Sequence, residues 1–90
     1  MRFFHRLFFF AFMWTNTDNY LTRTFLFKDF TEAFAFLVQV AMVAEKHNHH
    51  PQIINTYNRV ELRLNTHDAG NTVTEKDHRL SAAIDLLLIP

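Results

Sequence analysis

The hydrophobic period of this chain changes twice between Tyr20 and Leu64, and that pattern narrows its possible folds more than any other feature. From Tyr20 onward the side chains alternate. Leu21, Arg23, Phe25 and Phe27 fall on one parity, and Tyr20, Thr22, Thr24 and Leu26 on the other. A period of two carried by aromatic and β-branched residues predicts a strand. After Asp29 the repeat lengthens: Phe34, Leu37, Val38, Ala41 and Ala44 recur at three- and four-residue steps. This spacing predicts a helix of roughly four turns ending near Lys46–Asn48. Asp29 and Glu32 have capping-box spacing at its start, and Lys46, His47 and then Pro51 mark its end. From Ile53 to Thr66 the period of two returns. Ile54, Val60, Leu62 and Leu64 are expected on one face, with Arg59, Glu61 and Arg63 on the other. Asn55–Asn58 would be a tight bend dividing this stretch into two strands.

The flanks complete the outline. The polar TNTDN of residues 15–19 is a turn signal, with Trp14 and its neighbours as the hairpin partner of the strand that follows. Gly70, the only glycine, lies in a polar loop where a positive φ is expected. Thr74 and Asp77 form a second capping box, and Leu80, Ala83, Ile84 and Leu87 mark a final amphipathic helix. The order is strand, strand, helix, one or two strands, helix. That order predicts an α+β fold with helices packed on one face of an antiparallel sheet.

Ninety residues suffice for one domain with a modest core. Nine basic and nine acidic residues leave no net field to attract nucleic acid or an anionic membrane, and no Lys/Arg run supplies a local one. The absence of cysteine excludes disulfides and thiolate chemistry. Six of the eleven phenylalanines crowd into residues 1–12. This basic-then-apolar start is similar to the front of a targeting peptide, but no small-residue cleavage site follows. The apolar run is also shorter than the ~20 residues that span a bilayer. The preferred reading of residues 1–13 is a segment that packs its aromatic side chains on the core. Residues 14–90 form the domain proper.

Three histidines, His47, His49 and His50, stand just before Pro51, and His67 follows the last predicted strand. A shared metal is one reading, but these histidines lack the i, i+4 spacing of helical metal pairs. His47 suits a helix end, where the dipole favours a cation, and His78 a solvated position in the last helix. His5 carries no signal. Proton transfer is the third reading, because imidazole titrates near pH 6.5.

The segment from Thr24 to Gly70 closely resembles the pterin-4a-carbinolamine dehydratases. The resemblance rests on His49-His50-Pro51, Tyr57-Asn58, the alternating Val60–Leu64 and Thr66-His67-Asp68, with Thr74 and Asp77 continuing it. Trp14 matches a family tryptophan, so the likeness spans about residues 14–87. It implies a four-stranded antiparallel sheet with helices on one face, assembled as a homodimer or homotetramer. It implies loss of water from a 4a-hydroxytetrahydropterin to give the quinonoid dihydropterin, a step that recycles the tetrahydrobiopterin cofactor of aromatic amino acid hydroxylases. His49, His50 and His67 would be catalytic: His49 and His67 would move protons while His50 mainly orients the pterin. Asn48, Pro51, Asn65, Thr66 and Asp68 would bind substrate, and Trp14 and Asp77 would support the site. The same likeness implies no cofactor, no metal, no direct nucleic-acid or membrane partner, and a cytoplasmic location. Organelle targeting through residues 1–14 is the alternative location. A non-enzymatic role as a dimerisation or transcriptional-cofactor module on the same fold is the alternative function. The chain leaves the family pattern at Asn48, where many members have Asp, at Ile53, where tryptophan is common, and in a 68–77 loop one residue longer than usual, with Asn71 in place of a second glycine.

Overall fold

The structure, a computed structural model, describes residues 13–89. The packing expected of the phenylalanine-rich start, and His5, lie outside these residues. Strands β1 (Thr15–Thr17), β2 (Tyr20–Leu26), β3 (Gln52–Thr56) and β4 (Arg59–Leu64) form one sheet, with helices α1 (Phe30–His47) and α2 (Glu75–Leu86). Every strand pair is antiparallel and the spatial order is β1-β2-β4-β3. The expected α+β fold is therefore the observed one.

The first turn is tighter than the sequence suggests. Thr15–Thr17 form β1 themselves, and only Asp18 and Asn19 turn the chain, both with positive φ (52° and 65°). Short polar side chains tolerate that left-handed backbone, which matches the twist of a two-residue hairpin.

The strand at Ile53–Leu64 required a correction of register. The bend at Tyr57-Asn58 pairs Ile53 with Leu62 and Ile54 with Glu61. Directly paired residues share a face, so Ile53 joins Leu62 on the helix side and Ile54 faces away from it. Alternation continued through the bend placed Ile54 with Val60; a two-residue hairpin reverses that parity. Tyr57 takes φ 50° there, and the Asn55 amide donates to the carbonyls of Tyr57 and Arg59. Asn58 ties the bend to β2, exchanging backbone and side-chain hydrogen bonds with Phe27.

Leu21, Phe25 and Phe27 from the β2 region and Val60, Leu62 and Leu64 from β4 point toward the helices and are buried. They meet Ala33, Phe36, Leu37 and Val40 of α1 and Leu80 and Ile84 of α2. Fully burying such side chains stabilises by ~1.5–3 kcal/mol each. Phe25, Phe27 and Phe36 form the centre, with ring centroids 4.9–6.5 Å apart. Arg23 sits on this apolar side too. Its guanidinium lies 4.6 Å from the Phe25 ring centroid and donates to Asp85 of α2 at 2.8 Å.

The stripe that buries α1 is Ala33, Phe36, Leu37, Val40 and Ala44. Phe34 and Val38, which the spacing also marked, are about half exposed. The helix carries two apolar stripes, and spacing alone does not say which faces the sheet. Asp29 caps its start by accepting from the Glu32 N–H, while Glu32 reaches back to the Lys28 N–H instead of that of Asp29.

Candidate active site

Three chain reversals bring the site together. The first is the end of α1. Asn48 adopts φ 50°, and the N–H groups of Asn48 and His49 turn back to the carbonyls of Glu45 and Ala44. This paired closure is a Schellman motif, and asparagine is a residue that tolerates its left-handed position. The chain then leaves the helix at once, and His49 and His50 emerge beside its last turn. The second reversal follows β4. Leu64 is buried in the core, and Asn65 and Thr66 lead into a 3-10 turn, His67–Ala69, closed by Gly70 at φ 78°. The positive φ expected of the single glycine is present. The third is the start of α2, where the Thr74–Asp77 capping box forms as expected.

Between them lies an open cleft of about 320 Å³, lined by Asn48, His49, His50, Asn65, Thr66, His67, Asp68 and Lys76. Seven of these were expected from the sequence, and Lys76 was not. Pro51 follows His50 but does not line the cleft. Asp77 lies beneath it, fully buried.

Asp77 organises the floor. Its Oδ2 accepts from the Thr74 backbone N–H and from the Thr66 hydroxyl, both at 2.8 Å. Its Oδ1 is 2.6 Å from His49 Nε2. The Thr66 proton being spent on Asp77, the Thr74 hydroxyl donates to Thr66 Oγ1 at 2.6 Å. One carboxylate thus caps a helix, fixes the threonine before His67 and holds His49. Burial pushes its pKa up, but the hydrogen bonds from His49, Thr74 and Thr66, with the charge of His49, outweigh burial and leave it below the usual aspartate value.

The partners also define which ring nitrogens carry protons. A carboxylate only accepts, so His49 Nε2 donates to Asp77, and His50 Nε2 donates to Glu45 Oε1 at 2.9 Å. His67 Nδ1 donates to the Asn71 side-chain oxygen at 3.1 Å. Each imidazole keeps one nitrogen without a protein partner among the described residues. A neutral imidazole held in this way presents a lone pair at that nitrogen, and the protonated ring presents a proton there.

Asn71 and Glu45 went unnoticed in the sequence as partners of the histidines. Asn71 was visible only as a departure in the loop. It sits at φ 59°, and its own N–H returns to the Thr66 carbonyl. Trp14 lines no part of the cleft. It packs edge-on against Phe25 and donates from Nε1 to Asp85 at 2.8 Å, so its support is to the core. His47 and His78 are exposed and also lie outside the cleft lining. Among the described residues no group of three or more histidines and carboxylates is placed to hold a metal ion.

Taken together, the fold and the cleft define a small α+β domain that gathers three imidazoles in one cleft at the end of a sheet. The chain belongs to the family described as Pterin 4 alpha carbinolamine dehydratase, whose sequence pattern it matches over residues 7–87. A relative in Nitrobacter winogradskyi, which carries the provisional name pterin-4-alpha-carbinolamine dehydratase, is 55% identical over 67 residues. That match covers 74% of this chain and 65% of the relative, so the chain spans just under two thirds of that protein's length. A similarly named protein of Rhodospirillum rubrum is 48% identical over 77 residues, covering 83% of this chain and 79% of its own. A Brucella melitensis crystal structure described as a transcriptional coactivator/pterin dehydratase superposes with a TM-score of 0.79. It is 41% identical, with 88% of this chain and 85% of that one covered.

Proposed function

We propose that this domain removes water from a 4a-hydroxytetrahydropterin to give the quinonoid dihydropterin, recycling a tetrahydropterin cofactor. The observation that carries this reading is the trio of imidazoles, from two separate chain segments, lining one cleft with one nitrogen each secured by a protein acceptor.

The reaction breaks the C4a–O bond and the N5–H bond and forms the C4a=N5 double bond. Hydroxide is a poor leaving group, so an acid gives a proton to the departing oxygen and a base takes the N5 proton. The two transfers balance, and water is the only other product. His49 and His67 take these two roles. General acid and base groups in such positions typically contribute ~10²–10⁴-fold each. Asp77 keeps the Nε2 proton on His49, so its Nδ1 exchanges protons with substrate; Asn71 directs His67 Nε2 in the same way. His50 orients the pterin, its direction set by Pro51, and the polar groups of Asn48, Asn65, Thr66 and Asp68 bind the ring edges.

Self-association belongs to the same reading. Phe30, Phe34, Val38 and Met42 form an exposed stripe on α1, and Phe34, Val38, Leu37 and Ala41 share a shallow apolar groove with Ile53. A second copy of the chain is the occupant proposed for this face. The alternative, a binding module without activity, draws on the same stripe and on the coactivator wording of the Brucella structure's description. Among the described residues no helix is long and apolar enough to cross a membrane.

The deciding experiment compares carbinolamine dehydration by wild type, His49→Ala and His67→Ala against the spontaneous rate. The reading expects acceleration by wild type and a loss of at least about 100-fold in each variant. Wild-type protein that fails to exceed the spontaneous rate would sink it and favour the binding module.

A further inference from the structure

The histidine cleft does not end at His49. A second hollow of about 250 Å³ adjoins it, lined by His47, Asn48, His49, Lys76 and Arg79. Asn48, His49 and Lys76 line both hollows, so the two are neighbours that share these three side chains.

Their chemistry differs. The first mixes imidazoles, amides, a hydroxyl and the Asp68 carboxylate, with the Lys76 ammonium at the shared boundary. The second adds Arg79 to the shared Lys76, so two basic side chains line it, and it has no carboxylate in its lining. Lys76 makes no ion pair among the described residues. Arg79 has only a loose, solvent-exposed one to Glu75, at 3.9 Å. Such exposed pairs contribute little and are readily exchanged for a better partner. The buried acid Asp77 has both oxygens engaged by His49, Thr66 and Thr74. His47 and Asn48 add hydrogen-bonding groups at the end of α1.

We infer that this second hollow receives an anionic group on the side chain of the pterin, with a phosphate ester as the best-fitting chemical class. Lys76 and Arg79 bind the anion, and His47 and Asn48 hydrogen-bond its oxygens. The ring occupies the histidine cleft, and the side chain crosses the boundary at Lys76. This deepens the dehydratase reading and rests on it. His47, outside the catalytic cleft, acquires a role as part of a specificity site.

The test titrates the full chain with 6-hydroxymethylpterin and with its phosphate monoester, following pterin fluorescence at low and high ionic strength. Dehydration of the matching neutral and phosphorylated carbinolamines is measured in parallel. Two exposed ionic contacts predict about five- to tenfold tighter binding of the ester at low salt. The preference should shrink as salt screens it. In the double variant Arg79→Gln/His47→Gln the ratio of ester to neutral affinity should fall toward one, with circular dichroism unchanged. Equal affinities in wild type, or a preference that survives in the double variant, would overturn the inference. If both pterins bind alike and turnover is present, the inference fails and the dehydratase reading stands. If neither pterin binds and no turnover is seen, both fail.

Discussion

Replacing Asp77 by asparagine tests the site at its most constrained point. The carboxylate accepts three hydrogen bonds: from His49 at 2.6 Å, and from Thr66 and Thr74 at 2.8 Å each. An amide has one accepting oxygen and one donating nitrogen. Its oxygen can keep the Thr74 N–H and Thr66 hydroxyl, which share one oxygen in the wild type. Its NH₂ then points at His49 Nε2, where a proton now sits. The imidazole must give up that proton and adopt the opposite tautomer, so Nδ1 becomes a donor and loses its lone pair. Helix cap and core remain, so the stability loss should be about 1–3 kcal/mol, the size of one charge-assisted hydrogen bond. The rate should suffer far more, by about 10²–10⁴-fold, because the group exchanging protons with substrate presents the wrong nitrogen state. Stopped-flow dehydration supplies the rate, denaturant melts the stability, and ¹⁵N shifts of the His49 ring the tautomer. A variant with near-wild-type turnover would refute the reasoning. So would one that loses turnover while His49 keeps its Nε2 proton.

Further outcomes follow from the same geometry. Because the folded Asp77 pKa is lowered, its contribution to stability is complete above the unfolded value near ~4 and is lost as pH falls through the folded value. Urea melts of wild type should therefore lose this component below about pH 4, and melts of Asp77→Asn should lack it. Asn71→Gly keeps a residue suited to φ 59° but frees His67 Nδ1; kcat should fall about two- to tenfold, as expected for one neutral hydrogen bond, with the melting midpoint little changed. Trp14→Phe removes the bond to Asp85 and should cost about 1 kcal/mol in denaturant melts without altering turnover. Phe34→Glu with Val38→Glu places charges on the exposed α1 stripe and should shift sedimentation toward monomer; an unchanged profile would assign self-association to another face.

The element order, both helix starts and the left-handed glycine were legible in the residue pattern, whereas seven of the eight cleft residues came from the likeness to a known family. The former features are local. A period of two or 3.6, a capping residue three positions before its partner, or a glycine in a polar loop expresses what backbone geometry demands of neighbouring residues. Even so, His49 and His67 could be joined only through the likeness to a known family, since no spacing rule connects a helix end to a strand end. What the tertiary structure alone decided depends on residues far apart in the chain. The hairpin at Tyr57-Asn58 reversed the parity that put Ile54 in the core. The sheet selected one of two apolar stripes on α1 and left Phe34 and Val38 outside. Asp77 read as a helix cap and, through the family likeness, as a support of the site, but only the fold showed that its second oxygen meets a histidine 28 positions earlier. Asn71, which looked like a mere departure in a loop, became the partner of His67. A helix cap is determined within one turn of backbone. The proton state of an imidazole depends on which acceptor folding brings to its other nitrogen.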